Sequence, residues 1–369
     1  MKRLMNQVKE DAKKNGITGK KVSKWINVSE GMVTKYYKGE SDMPAMKFID
    51  LVDFIYEDPA CIKEYIISFI QKTERNDNLQ ELLEWSANRG DKEYMDEVHR
   101  RVVNSPLLKD SMIYQMITGR NMNQLSAEEF YLKVEDFKLS ENLLYDSKIL
   151  LKIATLYSHL DLKSYSVMIP LANNILQSLD AINSDYVRDS FKVRTNEMLA
   201  HAFLKRGDIE NVEKIAQKVL TDETINRYPL PANSILMILS EANIFKDPNS
   251  SIRLINSAIK MFKDIKVSSH KMRKSVLEST HDFIKIHCGD FNGLYLSDIS
   301  ERAHSLAKQG YSKEALIILD ELEEINGELS AHQLYYKGLA TDNKKYFQQS
   351  LNKFVRQGDS FYTQLIDLT

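Results

Sequence analysis

Apolar residues near the start of the chain recur at intervals of three and four, the spacing of one face of a helix. One such stripe runs through residues 4–12 and a second through residues 22–26. Asn27 interrupts the second stripe, and Ser29 is a favoured N-cap residue for a third short helix. Two short helices joined by a tight turn predict a helix-turn-helix, whose second helix fits the major groove of duplex DNA.

A further apolar stripe, that of a fourth helix, follows the turn at Gly39–Asp42. We expect Asp42 to cap this helix, with Pro44 tolerated in its first turn. Four helices in residues 1–58 resemble the DNA-binding domain of the Cro/repressor type. Pro59 then opens a strongly apolar stretch, which we interpret as a linker helix over residues 59–75.

The predicted recognition helix offers side chains for both kinds of DNA contact. Lys35 can donate to guanine acceptors and Glu30 can accept from cytosine. The positions expected to face base edges are Glu30, Gly31, Thr34 and Lys35. The positions expected to contact phosphates are Lys20, Lys21, Lys24, Ser29 and Lys38. The alternative is that the lysines of residues 20–24 only solubilise the second helix.

The rest of the chain, residues 76–369, contains a repeated pattern. Three segments each end one helix with a polar pair, turn at a glycine and start another helix, with the glycines at Gly90, Gly207 and Gly310. Glycine readily adopts the left-handed conformation that closes a helix. Apolar residues stand five and twelve positions after each glycine. The pattern predicts a tetratricopeptide-like, right-handed helical solenoid.

Composition supports an all-α fold, because the chain has only 13 Gly and 7 Pro, which helices tolerate poorly. The net charge of −2 hides an asymmetry. Residues 1–41 hold ten Lys/Arg and four Asp/Glu, a net of +6, which leaves −8 for the remainder. A basic head on an acidic body favours a polyanionic partner for the head alone. Two cysteines and no apolar run of membrane-spanning length lead us to expect a cytoplasmic protein without a membrane partner.

Signatures of catalysis are poor. The chain has no P-loop, no GxGxxG after a strand and no HExxH helix. His287 and Cys288 are the closest approach to a base and nucleophile, but neighbours in sequence point apart on a helix. We therefore predict that the protein is not an enzyme and needs no metal or cofactor.

A DNA-binding head on a tetratricopeptide-like body resembles the peptide-responsive regulators of Gram-positive bacteria and their phages. Within that group, the C-terminal half is most similar to the arbitrium receptors, through which temperate Bacillus phages choose lysis or lysogeny. The segments that carry the resemblance are 186–188, 227–228, 312–322, 335–338 and 358–361.

The resemblance implies a secreted hexapeptide bound in the groove of the repeats. It would place Arg227 on the carboxylate of the peptide, where a guanidinium can form two hydrogen bonds. It would place Asp359 opposite an arginine of the peptide, with Phe361 packed beside it and Asn326 near a further polar contact.

The chain departs from the family at three groove positions. Where the family has asparagines that hold the peptide backbone, this chain has His201, Lys205 and Glu241. Asparagine both donates and accepts, whereas lysine only donates and an ionised glutamate only accepts. The ligand is therefore expected to differ from the family's usual hexapeptides. The family also continues with a leucine-rich C-terminal helix that joins two protomers, so a homodimer remains open for a chain ending at Thr369.

Together these features predict a transcriptional regulator that binds an operator in double-stranded DNA under the control of a short signalling peptide. The resemblance implies that the peptide-free form activates a lysogeny inhibitor and that the peptide switches this off. The alternative is a solenoid scaffold that docks a partner protein and binds DNA weakly or constitutively.

Overall fold

The computed structural model describes residues 1–139, 143–264 and 271–367, and within these ranges the regular structure is helical, with no β-strand. The chain divides into two compact units. The first unit comprises Met1–Thr118, Asn142–Leu150 and Asp180–Ser190, and the second comprises Gly119–Glu141, Leu151–Leu179 and Phe191–Thr369.

Four helices form the beginning of the first unit: α1 (Lys2–Lys14), α2 (Gly19–Trp25), α3 (Glu30–Lys38) and α4 (Ala45–Ile55). The predicted start of α3 is confirmed, because the Ser29 hydroxyl accepts a hydrogen bond from the Met32 N–H at 3.2 Å. Gly39 ends α3 with a φ of 68°. A Cβ there would lie 2.9 Å from Lys2 Cβ, so both the backbone angle and the approach of α1 require glycine.

Two expectations for this region are wrong. Asp42 does not cap α4, which begins at Ala45; the Ala45 N–H donates to the Asn78 side chain at 2.9 Å instead. A residue 33 positions further on therefore takes the capping role. Trp25 was placed in the apolar stripe of α2, but it is 57% exposed and stacks on Phe54 with ring centroids 4.6 Å apart.

The first unit continues through α5 (Pro59–Lys72), α6 (Asn76–Arg89), α7 (Lys92–Val102) and the start of α8 (Leu108–Asn121). Side chains of α7 hold the end of α5, since Arg101 donates to the carbonyl oxygens of Ile70 and Thr73. Trp85 of α6 is buried against Tyr94 of α7, with the Arg89 guanidinium 5.0 Å from the centre of its ring. The segment predicted as a linker is thus helical and packed on α7.

From residue 209 onwards, each α-helix of the second unit packs against the next one along the chain. The remaining helices of the described chain, of which α10 and α12 begin in the first unit, are α9 (Ala127–Lys138), α10 (Tyr145–Asp161), α11 (Tyr165–Ser178), α12 (Asp185–Lys205), α13 (Ile209–Leu220), α14 (Pro229–Ala242), α15 (Pro248–Asp264), α16 (Lys271–His287), α17 (Ile299–Lys308), α18 (Ser312–Asn326), α19 (Ala331–Thr341), α20 (Lys344–Arg356) and α21 (Gln364–Asp367).

The glycine turns of the repeats are confirmed. Gly90, Gly207 and Gly310 have φ angles of 64°, 75° and 85°, the left-handed region. The apolar residues predicted to follow each turn are buried: Met95, Val102, Val212, Val219, Ala315 and Leu322. Among the described residues, none of the helices combines the length and apolar character that a membrane span requires.

Candidate functional site

The residues predicted to contact DNA lie on the surface of α2 and α3 and at the turn between them. All nine are exposed: Lys20, Lys21, Lys24, Ser29, Glu30, Gly31, Thr34, Lys35 and Lys38. The Thr34 hydroxyl donates to the Glu30 carbonyl of its own helix at 3.0 Å. Lys38 lies 3.8 Å from Glu40, a surface ion pair that contributes little to stability. The two helices and the turn between them therefore present a surface that is rich in lysine.

A cavity of about 300 Å³, partly open to solvent, lies in the second unit. Its wall combines carboxyl groups, hydroxyl groups and aromatic rings from the ends and faces of several helices. The residues that line it are Lys205, Glu241, Ser279, Thr280, Phe283, Asp298, Ser300, Glu301, Ser330, His332, Tyr336 and Tyr362. A cavity of this composition can bind a small ligand through hydrogen bonds and ring contacts.

Lys205, at the end of α12, is the centre of a cluster at one side of this cavity. Its ammonium group lies 2.9 Å from the Asp359 carboxylate and 4.5 Å from the centre of the Tyr362 ring. The Tyr362 hydroxyl donates to the Glu241 carboxylate at 2.7 Å. Four residues of α12, α14 and the segment before α21 are thus joined by polar contacts.

The backbone positions this cluster as well. The carbonyl oxygen of Lys205 accepts hydrogen bonds from the N–H groups of Ser360 and Phe361, at 2.7 and 3.3 Å. Gly358, with a φ of 69°, turns the chain after α20 so that these groups face α12. The Phe361 ring is 1% exposed and lies 5.1 Å from the Phe245 ring. The end of α12 is therefore fixed to residues 155 and 156 positions further along the chain, whereas helices of a repeat array mostly contact their neighbours.

Burial and charge act against each other in this cluster. Burial raises the pKa of Glu241, and the nearby Lys205 and the Tyr362 hydroxyl only partly oppose this. Burial would lower the pKa of Lys205, but Asp359 and Glu241 outweigh it and raise that pKa. Lys205 is therefore a cation at neutral pH, held next to carboxyl groups.

A second buried network contributes Glu301 and Tyr336 to the cavity wall. Glu301 accepts a hydrogen bond from the Tyr336 hydroxyl at 2.7 Å, and its other oxygen lies 3.0 Å from His304 Nδ1. Burial raises the pKa of Glu301 to about 8. Burial also lowers the pKa of His332 to about 3, so this cavity histidine is neutral at physiological pH. Among the described residues, no three His, Cys, Asp or Glu side chains form a group that could hold a metal ion.

The structure brings four of the seven predicted peptide contacts together: Lys205, Glu241, Asp359 and Phe361. His201 lies one helical turn before Lys205 on α12, and burial lowers its pKa to about 3. Arg227, the last residue of the 3₁₀ helix Ile225–Arg227, and Asn326, the last residue of α18, are exposed and do not line the cavity. Asn326 donates to the Leu322 carbonyl of its own helix at 2.9 Å.

Sequence reasoning missed most of the cavity wall, including Tyr362, Glu301 and His332. A signal was present in the dense aromatic and histidine residues of α19 and in the Phe361–Tyr362 pair. At helical spacing such residues are more often core than ligand contacts, which is why the pattern alone does not identify them.

Residues 60–366 match the model of the protein family described as AimR transcriptional regulator-like. The chain belongs to this family. The AimR transcriptional regulator of Bacillus phage phi3T is 21% identical over 263 residues, which cover 69% of this chain and 65% of the phage protein. The predicted resemblance to the arbitrium receptors is confirmed.

Two solved structures share the fold of this AimR-like chain. The structure of selenomethionine phAimR has a TM-score of 0.68 at 17% identity and covers 99% of this chain and 95% of that one. The structure of phAimR with a ligand has a TM-score of 0.67 at 17% identity and covers 89% and 97%. The predicted fold class, an all-α protein with a helix-turn-helix head and tetratricopeptide-like repeats, is confirmed.

Proposed function

We propose that this AimR-like regulator binds an operator in double-stranded DNA and that a short peptide in the cavity of the second unit controls this binding. The chain belongs to a family of regulators, and it contains both a pair of short helices rich in exposed lysine and a cavity large enough for a ligand. This combination is the observation that supports the proposal. The ligand-bound phAimR structure supports a ligand for the same fold.

In the proposed DNA complex, α3 lies in the major groove. Lys35, Glu30, Gly31 and Thr34 face base edges, because all four are exposed on one helix. The lysines of α2, with Ser29 and Lys38, contact phosphates and set the register on the duplex. The three lysines of α2 lie within five residues on its exposed surface, which suits a polyanionic backbone.

In the proposed peptide complex, the ligand lies against Lys205 and Glu241 of the cavity wall and reaches His201, one helical turn before Lys205. Asp359 and Phe361 support this wall from behind, since both are almost fully buried. Arg227 and Asn326 are exposed outside the cavity, so the proposed peptide extends beyond it: Arg227 receives the peptide carboxylate and Asn326 makes a further polar contact. A peptide controls DNA binding only if it binds one conformation of the protein more tightly than another.

The decisive experiment is a DNA-binding titration with fragments from the neighbourhood of the gene, with and without the short peptides encoded just downstream. Tight, salt-sensitive binding whose affinity one peptide changes is the expected result. Binding that no peptide changes would contradict peptide control. Absence of DNA binding would favour a repeat scaffold that docks a partner protein, which is the second candidate function.

A further inference from the structure

The carboxylate of Asp359 is a buried anion that requires a cation. The residue is 5% exposed, and its carboxylate also accepts a hydrogen bond from the Tyr362 N–H at 3.3 Å. Removing the partner of a buried charge is strongly destabilising, because the remaining charge has lost its water without compensation. Whatever cation lies beside Asp359 is therefore an essential part of the site.

Lys205 supplies that cation from within the chain. Its ammonium group is 2.9 Å from Asp359, and its side chain is only 17% exposed. The hydrogen bonds from the Ser360 and Phe361 N–H groups to the Lys205 carbonyl hold both partners in register. The pair is thus fixed by the backbone as well as by charge.

The two partners differ in what they present to a ligand. Lys205 lines the cavity, whereas Asp359 does not. A ligand side chain that enters here meets the Lys205 ammonium group and the Tyr362 ring rather than the Asp359 carboxylate. Glu241, beside them, accepts a hydrogen bond from the Tyr362 hydroxyl, so its carboxyl group is already engaged within the cluster.

We propose that Lys205 determines the charge selectivity of the peptide site: it already neutralises Asp359, so a ligand side chain at this point is neutral and a basic one is excluded. This inference rests on the proposed function, because it assigns the class of peptide that the cavity accepts. Glu301 and Asp298 also line the cavity, but both are present with and without Lys205, so a difference between wild type and variant does not come from them.

The first test replaces the lysine by an external cation. Lys205→Ala removes three methylene groups and the ammonium group, which n-propylammonium can restore. Thermal unfolding is measured for the full chain with n-propylammonium chloride and with 1-propanol, its neutral counterpart, at constant ionic strength. We expect n-propylammonium to bind the variant about tenfold more tightly than the wild type, because the buried carboxylate is left unpaired.

Lys205→Ala combined with Asp359→Asn is the matched control, since it contains the same space without the buried charge. We expect this double variant to gain nothing from n-propylammonium beyond what 1-propanol gives. Equal stabilisation of the wild type, the single variant and the double variant would overturn the proposal.

The second test uses the milder variant Lys205→Asn, which keeps a polar side chain if Lys205→Ala fails to fold. Immobilised wild type and variant are exposed to two pools of random short peptides, which carry either one arginine or one citrulline, its neutral analogue. We expect the ratio of arginine to citrulline peptides retained to be about tenfold higher for the variant, because Asp359 then needs an external cation.

The peptide experiment distinguishes a failure of the proposed role of Lys205 from a failure of the proposed peptide site. An equal ratio for both proteins, with peptides retained by each, would overturn the role of Lys205 and leave the peptide site intact. Retention of neither pool by either protein would contradict the peptide site itself, and the charge selectivity would fall with it.

Discussion

The side chain of Asn78 accepts a hydrogen bond from the backbone N–H of Ala45 at 2.9 Å. It also donates to the Met43 carbonyl and to the Thr73 hydroxyl, at 3.1 and 2.9 Å. One buried amide in α6 therefore satisfies the start of α4 and the residue that ends α5. This contact ties the predicted DNA-binding head to the first helix of the body.

We expect Asn78→Ala to lower the free energy of unfolding by about 1–3 kcal/mol, because it leaves buried backbone groups without partners. Urea denaturation measures the change. The exposed Asn76→Ala, in the same helix, is the control and should change stability by less than about 0.5 kcal/mol. Equal losses in the two variants would show that the Asn78 contacts do not stabilise the fold.

Lys35→Ala and Lys20→Ala should weaken DNA binding in different ways. Loss of Lys35 should remove sequence preference, since a base contact discriminates between sites by about 1–3 kcal/mol. Loss of Lys20 should weaken binding to all sequences and lower the salt slope by about one. Titrations of operator and unrelated DNA at several salt concentrations measure both effects. The same loss in both variants would contradict the assignment of α3 as the recognition helix.

Arg227→Ala should abolish the response to peptide and leave DNA binding without peptide unchanged, because the guanidinium is proposed to hold the peptide carboxylate and Arg227 is not among the residues proposed to contact DNA. The DNA titration with and without peptide measures this. Arg206→Ala is the control, since Arg206 is another exposed arginine of the second unit. A normal peptide response in the Arg227 variant would disprove the carboxylate assignment.

Glu301 should make stability fall as pH rises. Its pKa in the folded protein is about 8, against 4.5 for an ordinary glutamate, because it is buried. Between these values the folded state holds the proton that the unfolded chain releases, so the contribution decreases by up to about 1.4 kcal/mol per pH unit. Above about pH 8 the loss is complete.

Glu301→Gln removes this titration, so its stability relative to the wild type should increase from pH 5.5 to 7.5. Denaturation at several pH values measures the difference. The exposed Glu314→Gln in α18 is the control, and its curve should run parallel to that of the wild type. A parallel curve for Glu301→Gln would show that this carboxyl group ionises normally.

Gly338→Ala should destabilise the packing of α19 on α20. An added Cβ would lie 2.6 Å from Cε1 of Phe347, which forces the ring or a helix to shift and costs about 1–3 kcal/mol. Gly119→Ala is the control, since its Cβ would lie 3.6 Å from Leu125 in ordinary contact. In a helix that change should gain up to about 1 kcal/mol. Thermal unfolding of both variants tests the opposite signs.

Signals within a few residues of one another were sufficient to predict local structure. Ser29 caps α3, Gly39 closes it, and the glycine turns of the repeats carry buried residues at the expected positions, because each depends on backbone geometry at that point. The role of Asn78 could not be predicted in the same way. It depends on a contact between residues 33 positions apart, and nothing near Ala45 indicates it.

The cavity was still harder to predict from the sequence, because residues far apart along the chain form its wall. Lys205 and Glu241 stood out only as departures from a family pattern, and the sequence does not indicate that Lys205 meets Asp359. Glu301 was not singled out at all, since a carboxylate among helix-forming residues normally lies on a solvated face. Its burial follows from how α17 and α19 pack, which is decided by the whole second unit.

The two tryptophans give the protein a built-in pair of optical reporters. Trp25, exposed on α2 beside the proposed DNA surface, should emit at long wavelength and respond when a duplex covers it. Trp85, enclosed against Tyr94 and Arg89, should emit at shorter wavelength and serve as an internal reference. Occupancy of the head can therefore be followed in the unlabelled wild-type chain by its own fluorescence.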